Sequence, residues 1–191
     1  MKALWSAFAI LTMSTLGTAQ AGESRQEERT LIANYRSVDP ASALMTGGGH
    51  CPATGIVAFS ATGTNHVSAG SLTLLGYSTT YTNEGGGWVQ GGGTFIAPCT
   101  GLYSFTLSFT KDAFAYGGTM GDVSVYIAQN GCNKGYAFSG HGAGQRGSGS
   151  YTVVLYLEGG DYVQSFVGSG NESKRHLLVH NFTGHLVKML E

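Results

Sequence analysis

The strongest constraint on the fold is an eight-residue stretch in which large apolar and small hydroxyl side chains alternate without exception. It reads Tyr-Ser-Phe-Thr-Leu-Ser-Phe-Thr and occupies residues 103–110. A period of two places the two sets of side chains on opposite faces of a β-strand, whereas a helix would mix them. The stretch therefore predicts a strand with one face in a core and the other toward water.

The same signal recurs along the chain from residue 56 onward. Val123, Val125 and Ile127 alternate with other side chains and lead into Asn130-Gly131, a strong signal for a hairpin turn. Further β-type runs, separated by Gly, Asn and Ser, cover residues 56–61, 72–75, 136–138, 151–157, 162–167 and 177–187. At least eight short strands predict an all-β fold, either a β-sandwich or a jelly roll.

Residues 151–157 depart from simple alternation because both faces of this predicted strand carry apolar side chains. Tyr151, Val153 and Leu155 point one way, while Val154 and Tyr156 point the other. A strand that is apolar on both faces is normally covered on both. We expect the second cover to be another subunit, with a loop of the same chain as the alternative.

The chain divides into three predicted parts. Residues 1–21 combine a charged start, an apolar stretch and Ala19-Gln20-Ala21, which is typical of a secretory signal peptide. The apolar stretch is shorter than the ~20 residues that span a bilayer, so cleavage before Gly22 is expected and a retained anchor is the alternative. Residues 22–50 form a charged N-terminal arm that ends in glycines, and residues 51–191 form the globular domain. The mature protein is then secreted and has no membrane span.

Charge excludes one class of partner. Charged residues make up 11% of the chain, against about 25% in an ordinary globular domain. The cations do not cluster, so nucleic acid is not an expected partner. In the predicted globular domain they are Lys111, Lys134, Arg146, Lys174, Arg175 and Lys188.

Three cysteines in an exported chain leave one without an intrachain partner. Cys99 and Cys132 both lie within the strand-rich region, whereas Cys51 precedes it. We predict a Cys99–Cys132 disulfide, with Cys51 either free or bonded to another chain. Three buried free thiols are the alternative.

A glycine-rich stretch followed by aromatic residues is the most specific pattern in the chain. It resembles the signature of the globular head domain of complement C1q and its relatives. The matching residues are Asn83, Gly85 and Trp88, followed by Gly93, Phe95, Pro98, Gly101, Tyr103 and Phe105. Further matches follow in the family's order, at Phe59 before this stretch and at Asn130, Gly160, Asp161, Phe182 and Gly184 after it.

This resemblance covers residues 56–187 and implies a ten-stranded jelly roll of the tumour-necrosis-factor type that assembles as a homotrimer. The chain lacks the family's usual collagen stalk and is similar to the short secreted members that consist of the head alone. Some relatives bind calcium through carboxylates in the loop before the predicted strand at 151–157. No Asp or Glu occurs between Asp122 and Glu158, so we expect no calcium site, no other metal and no cofactor.

Motifs that suggest chemistry have simpler explanations here. Residues 142–147 spell G-x-G-x-x-G but lead into a predicted strand, so no helix N-terminus is available for a pyrophosphate. His176 and His180 are about 13 Å apart in an extended strand, too far for one metal ion, and His185 faces the other way. No G-x-S-x-G elbow occurs. We therefore expect a binding protein and not an enzyme.

Ligand binding is expected in the loops, because the fold itself does not specify a ligand. Tyr116, His141 and Arg146 offer the aromatic face and the cations that sugar rings and anionic groups require. Asn171 and Asn181 head glycosylation sequons. The first lies in a polar stretch, whereas the second lies in the last predicted strand, where strand pairing disfavours its modification.

Three functions remain open. The leading hypothesis is lectin-like, innate-immune recognition of glycans on microbial or cell surfaces. The second is a signalling or matrix-organising protein with one protein receptor, and the third is a cytokine-like ligand retained at the membrane by residues 3–16.

Overall fold

The computed structural model describes residues 51–68, 72–112, 122–140, 145–168 and 175–190. Within these ranges the chain is entirely β-structure and turns, with eleven strands and no helix. The strands are β1 (Ala58–Ser68), β2 (Thr73–Leu74), β3 (Thr79–Glu84), β4 (Trp88–Val89), β5 (Thr94–Ile96), β6 (Gly101–Lys111), β7 (Val123–Gln129), β8 (Cys132–Ser139), β9 (Gly147–Leu157), β10 (Tyr162–Val167) and β11 (Arg175–Met189).

The strands form two antiparallel sheets that face each other. Sheet A has the order β3-β1-β11-β6-β9, and sheet B has the order β4-β5-β10-β7-β8, with β2 added to the end of β10. Several neighbouring strands are far apart in sequence; for example, β11 lies between β1 and β6. This topology confirms the predicted all-β jelly roll. The structure has eleven described strands, whereas the family resemblance implied ten. Two of the eleven, β2 and β4, have only two residues each.

The alternating stretch at 103–110 lies in β6, next to the centre of sheet A. Tyr103, Phe105, Leu107 and Phe109 are buried between the sheets, while the intervening hydroxyl residues face outward. Four strands contribute rings to one aromatic cluster around Phe59, which stacks on Trp88 at 4.6 Å between ring centroids. The other rings within contact of Phe59 are those of Phe95, Phe105 and Phe182. The core is therefore mainly aromatic, and it holds sheet A against sheet B.

The glycine-rich stretch is a closed loop held by one asparagine. Asn83 donates from Nδ2 to the carbonyl of Trp88 and accepts at Oδ1 from the Trp88 backbone N–H, both at 3.0 Å. These bonds fix a turn in which Gly85 and Gly86 have positive φ angles, which residues with a Cβ rarely adopt. The loop thereby places the Trp88 ring in the core. Asn83 is the last residue but one of β3, and Trp88 begins the short β4.

Two distant turns lock together at one end of sheet B. The Asn130-Gly131 turn joins β7 to β8 with positive φ at both residues, as the sequence predicted. Asn130 donates to Asp161 at 2.8 Å and accepts from the Tyr162 backbone N–H. Asp161 also accepts from the Glu158 backbone N–H at 2.9 Å. These bonds give a structural role to Asn130 and Asp161, two of the residues that match the family's motifs.

The predicted Cys99–Cys132 disulfide is wrong, because the structure has a disulfide between Cys51 and Cys99. Cys99 lies in the turn between β5 and β6, where the chain preceding β1 passes, and Tyr103 Oη donates to its carbonyl at 2.7 Å. Cys132 lies in the exposed hairpin between β7 and β8 and carries a free thiol. Cys51 is therefore neither free nor available for an interchain bond.

The two ends of the described domain lie together. Cys51 Sγ is 3.1 Å from Met189 Sδ, and Leu186 donates its backbone N–H to the carbonyl of Val57 at 2.9 Å. We call this region the terminal end of the sandwich. The opposite end of sheet A, where β6 ends at Lys111 and β9 begins at Gly147, is called the loop end.

Candidate functional site

The outer face of sheet A is polar toward the loop end. There β6 and β9 present opposed hydroxyl groups, with Thr106 and Thr152 in contact at 2.8 Å and Thr110 and Ser148 at 2.9 Å. We call this region the hydroxyl patch; it consists of Thr106, Ser108, Thr110, Ser148, Ser150, Thr152 and Asn181. Part of it surrounds an open cavity of 380 Å³, and the described residues that line the cavity carry no charge.

The same face is apolar toward the terminal end. Val154 and Tyr156 of β9 project outward and are 57% and 49% exposed. Tyr156 is the register partner of Leu102 on β6, and a bulge on β11 leaves Val187 exposed nearby. We call this region the apolar patch; it consists of Ile56, Leu102, Val154, Tyr156 and Val187. No described part of the chain covers its projecting side chains, so the alternative cover, a loop of the same chain, is not found among the described residues.

The outer face of sheet B carries a second group of aromatic residues. Tyr126 and Phe166 are buried there in one cluster with Leu72 and Ala128, and Leu74 of β2 packs against this cluster. The ring of Tyr136 lies 5.6 Å from that of Tyr126 and extends the group toward the edge strand β8. Tyr136 and Phe138 are 54% and 52% exposed. They present two aromatic surfaces to solvent at one edge of the sandwich.

The predicted ligand residues are only partly described. Arg146 is exposed and directly precedes β9 at the loop end of sheet A. Tyr116, His141 and Asn171 lie outside the described residues. Asn181 lies on β11 with its side chain in the hydroxyl patch, where Nδ2 is 3.5 Å from Ser108 Oγ. The assignment of Tyr116, His141 and Arg146 to one binding surface stays a prediction.

The histidines of β11 have separate environments. His180 is fully buried and its Nε2 lies 2.8 Å from the carbonyl oxygen of Gly76, while His185 is exposed on the outer face. His176 Nδ1 lies 3.2 Å from a carboxylate oxygen of Asp112. Over the described ranges no three His, Cys, Asp or Glu side chains lie close enough to hold one metal ion. The expected absence of calcium stays a prediction, because residues 141–144 of the loop before β9 are outside those ranges.

The buried polar side chains on the inner faces act in packing. Tyr77 Oη and Ser165 Oγ share a hydrogen bond of 2.8 Å across the core. Burial raises the pKa of Tyr77 far above its ordinary value, although the bond to Ser165 opposes the rise. Burial likewise raises the pKa of Tyr103, opposed by its bond to Cys99. Both phenols therefore remain neutral and serve as structural hydrogen-bond partners.

These features define a binding domain: a rigid two-sheet jelly roll whose distinctive chemistry lies on its outer surfaces. The C1q domain model matches residues 58–187, from the first residue of β1 to within two residues of the end of β11. The chain belongs to the C1q domain family, as the resemblance of its motifs implied. Members of this family are typically extracellular and bind partners without catalysing reactions, and this chain is not an enzyme.

Solved structures share the fold at low sequence identity. The globular domain of zebrafish complement 1qA protein aligns with a TM-score of 0.58 and 17% identity, covering 70% of this chain and 99% of that one. The PRD1 vertex protein P5 aligns with a TM-score of 0.54, 15% identity and coverages of 69% and 97%. Murine APRIL aligns with a TM-score of 0.53, 12% identity and coverages of 69% and 99%. No curated protein sequence matches the chain significantly.

Sequence reasoning found the apolar patch in part and missed the aromatic surface on sheet B. The apolar character of both faces at 151–157 was visible as a pattern, but Ile56, Leu102 and Val187 join the patch only through strand pairing. Tyr136 and Phe138 were recognised as strand residues, and their exposure depends on β8 being an edge strand. No helix in the described ranges is long and apolar enough to cross a membrane.

Proposed function

We propose that this protein is a secreted recognition protein whose heads trimerise through the apolar patch and bind glycans through the loop end. The exposed apolar patch is the observation that carries this proposal. The patch lies on the outer face of a sheet whose other outward residues are mostly polar, so its exposure to water is costly in a single chain. Trimeric assembly, which the family resemblance implies, would cover it.

A cyclic trimer also suits the position of the patch. In a ring of three, each contact joins two different surfaces of neighbouring copies. Val154 and Tyr156 lie on the edge strand β9, whereas Ile56 precedes β1 on the opposite side of β6 and β11. The patch therefore extends across the sheet and offers two distinct sides to two neighbours.

Trimerisation is tested by placing a charge in the apolar patch. We expect Tyr156→Asp to convert the protein from a trimer to a monomer at micromolar concentration, because a buried unpaired carboxylate is strongly unfavourable. Sedimentation velocity should show a threefold fall in mass. Phe138→Asp is the matched control, since it adds the same charge at an equally exposed aromatic residue on sheet B. A monomeric wild-type protein that carries no glycan, or a trimer that survives Tyr156→Asp, would contradict the proposal.

Glycan binding at the loop end is supported by residue chemistry. Arg146 is exposed beside the start of β9, and Tyr116 and His141 follow β6 and β8 in the sequence. Three weak sites displayed in parallel on one trimer gain avidity of roughly 10²–10⁴-fold on a repetitive surface. Microbial polymers and cell-surface glycans are surfaces of this kind.

The test of binding is a screen of the purified secreted protein against immobilised glycans and bacterial polymers, with and without calcium. We expect saturable binding that free sugar competes and that chelation of calcium leaves unchanged. The triple variant Tyr116→Ala, His141→Ala, Arg146→Ala should lose at least tenfold in affinity while remaining a trimer. Unchanged binding by this variant would remove the site from these loops.

The second candidate is a signalling or matrix-organising protein that binds one protein partner. The exposed Tyr136 and Phe138 on sheet B favour it, because aromatic side chains carry much of the binding energy at protein interfaces. The exposed thiol of Cys132 in the adjoining hairpin could link heads covalently, the role once expected of Cys51. No binding across the glycan screen, together with a protein cross-linked near β8 at a cell surface, would favour this function.

A further inference from the structure

The sequon at Asn181-Phe182-Thr183 lies in an unusual place for a glycosylation site, because β11 is the central strand of sheet A. Both neighbours in the chain, His180 and Phe182, are fully buried in the core. Asn181 itself points the other way, onto the outer face, with Ser108 as its register partner. Pairing within the sheet therefore places the acceptor amide on the outer surface and not in the core.

The surroundings of Asn181 leave room for a sugar. Its side chain lines the 380 Å³ cavity together with Ser108, Thr110, Ser148, Ser150 and Val179. Hydroxyl groups and one aliphatic side chain offer hydrogen bonds and an apolar contact to a neutral sugar ring. The amide group has two hydrogens, so replacing one of them leaves the other for the contact with Ser108 Oγ. A glycan on Asn181 is thus compatible with the folded sandwich.

The same position conflicts with assembly. A copy that covers the outer face of sheet A must approach its central strand, and Asn181 occupies that strand. Along the strands, six residues of register separate Ser108, opposite Asn181, from Leu102 in the apolar patch, or about 20 Å. A branched oligosaccharide of many sugars covers that distance, so it would obstruct a neighbouring head.

We propose that Asn181 is an N-glycosylation site whose occupancy prevents the heads from trimerising through sheet A, so that glycosylation selects between a monomer and a trimer. In the transfer, Asn181 Nδ2 forms a bond to C1 of the first sugar of a lipid diphosphate oligosaccharide. The bond from C1 to the diphosphate breaks, lipid diphosphate leaves with the electron pair, and the amide loses one proton to the transferase. The second half of this proposal, that a glycan on Asn181 prevents trimer formation, rests on the proposed function.

Secretion of the full chain from a eukaryotic host that modifies its other glycoproteins tests both halves of this proposal. Asn171→Gln in the starting protein removes the other sequon. Monomer and trimer fractions are separated, and the peptide containing residue 181 is treated with a glycan-releasing amidase in heavy-oxygen water, which labels former glycosylation sites for mass spectrometry. We expect labelled Asn181 in the monomer and at least tenfold less label in the trimer.

Matched variants separate the possible failures. Thr183→Ala removes the sequon but keeps Asn181, and it should shift the whole population to trimer; Thr183→Ser keeps the sequon and should retain the monomer. An unlabelled Asn181 in all fractions overturns the site, and labelled Asn181 in the trimer overturns the exclusion. If Thr183→Ala is still monomeric, the proposed trimer fails and the exclusion fails with it, while the label continues to report whether Asn181 is modified.

Discussion

Phe105→Ala should destabilise the domain by about 3–5 kcal/mol, the range measured when a buried phenylalanine is truncated to alanine. Phe105 is fully buried, and its ring contacts those of Phe59, Phe95, Tyr103 and Phe182. The variant removes apolar area from the core and leaves a cavity that rings anchored on both sheets cannot easily fill. A loss of this size is a large part of the free energy of unfolding of a typical domain, which is about 5–15 kcal/mol.

The measurement is urea unfolding followed by tryptophan fluorescence, because Trp88 is buried in the same cluster. All variants must be compared at one protein concentration, since self-association adds to apparent stability. Ser104→Ala is the matched control on the same strand and should change stability by less than about 0.5 kcal/mol. The stability of Phe105→Leu should fall between the stabilities of Phe105→Ala and Ser104→Ala. Equal stability of Phe105→Ala and Ser104→Ala would contradict the described core.

The second large effect is expected from the disulfide. Cys51 and Cys99 are 48 residues apart in sequence, and closing a loop of that length restricts the unfolded chain by roughly 4 kcal/mol in the chain-entropy model. The free energy of unfolding of the double variant Cys51→Ala, Cys99→Ala should therefore be lower than that of the wild type by roughly 2–4 kcal/mol. It should also release the segment before β1, because no described backbone pairing holds residue 51 to sheet A.

Reduction provides a second measurement of the same bond. Wild-type protein should unfold at lower urea concentration in dithiothreitol, whereas the double variant should respond to urea equally with and without it. Cys132→Ser is the control, because Cys132 is exposed and free and should keep wild-type stability. A Cys132→Ser variant as unstable as the double variant would support the pairing that the sequence first suggested.

The strands were predictable because their signals are local. Alternation at 103–110 and 123–127 requires only that one face be buried, and the Asn130-Gly131 turn requires only two residues with positive φ. The order of the glycine and aromatic motifs along the chain then indicated the family. The buried Trp88 ring anchors the glycine-rich loop, and the two hydrogen bonds of Asn83 explain why that loop is fixed.

The disulfide and the surfaces depend on pairs of residues that are distant in sequence. The sequence favoured Cys132 as the partner of Cys99 because both lie in the strand-rich region, whereas the structure pairs Cys99 with Cys51 from the segment before β1. The apolar patch likewise combines residues from β6, β9 and β11 and from the segment before β1, and only strand register brings them together. Tyr116 and His141 were chosen by chemistry alone, so their role awaits the binding screen.

The meeting of Cys51 with Met189 has a practical consequence for engineering. A domain whose first and last residues share one corner can be inserted whole into a surface loop of another protein, because its two connections leave side by side. The same corner allows a short peptide to join residue 190 to residue 51, so that the chain can be opened elsewhere as a circular permutant. The loop end would remain unobstructed in either form, and the head could serve as a self-contained cassette for displaying new binding loops.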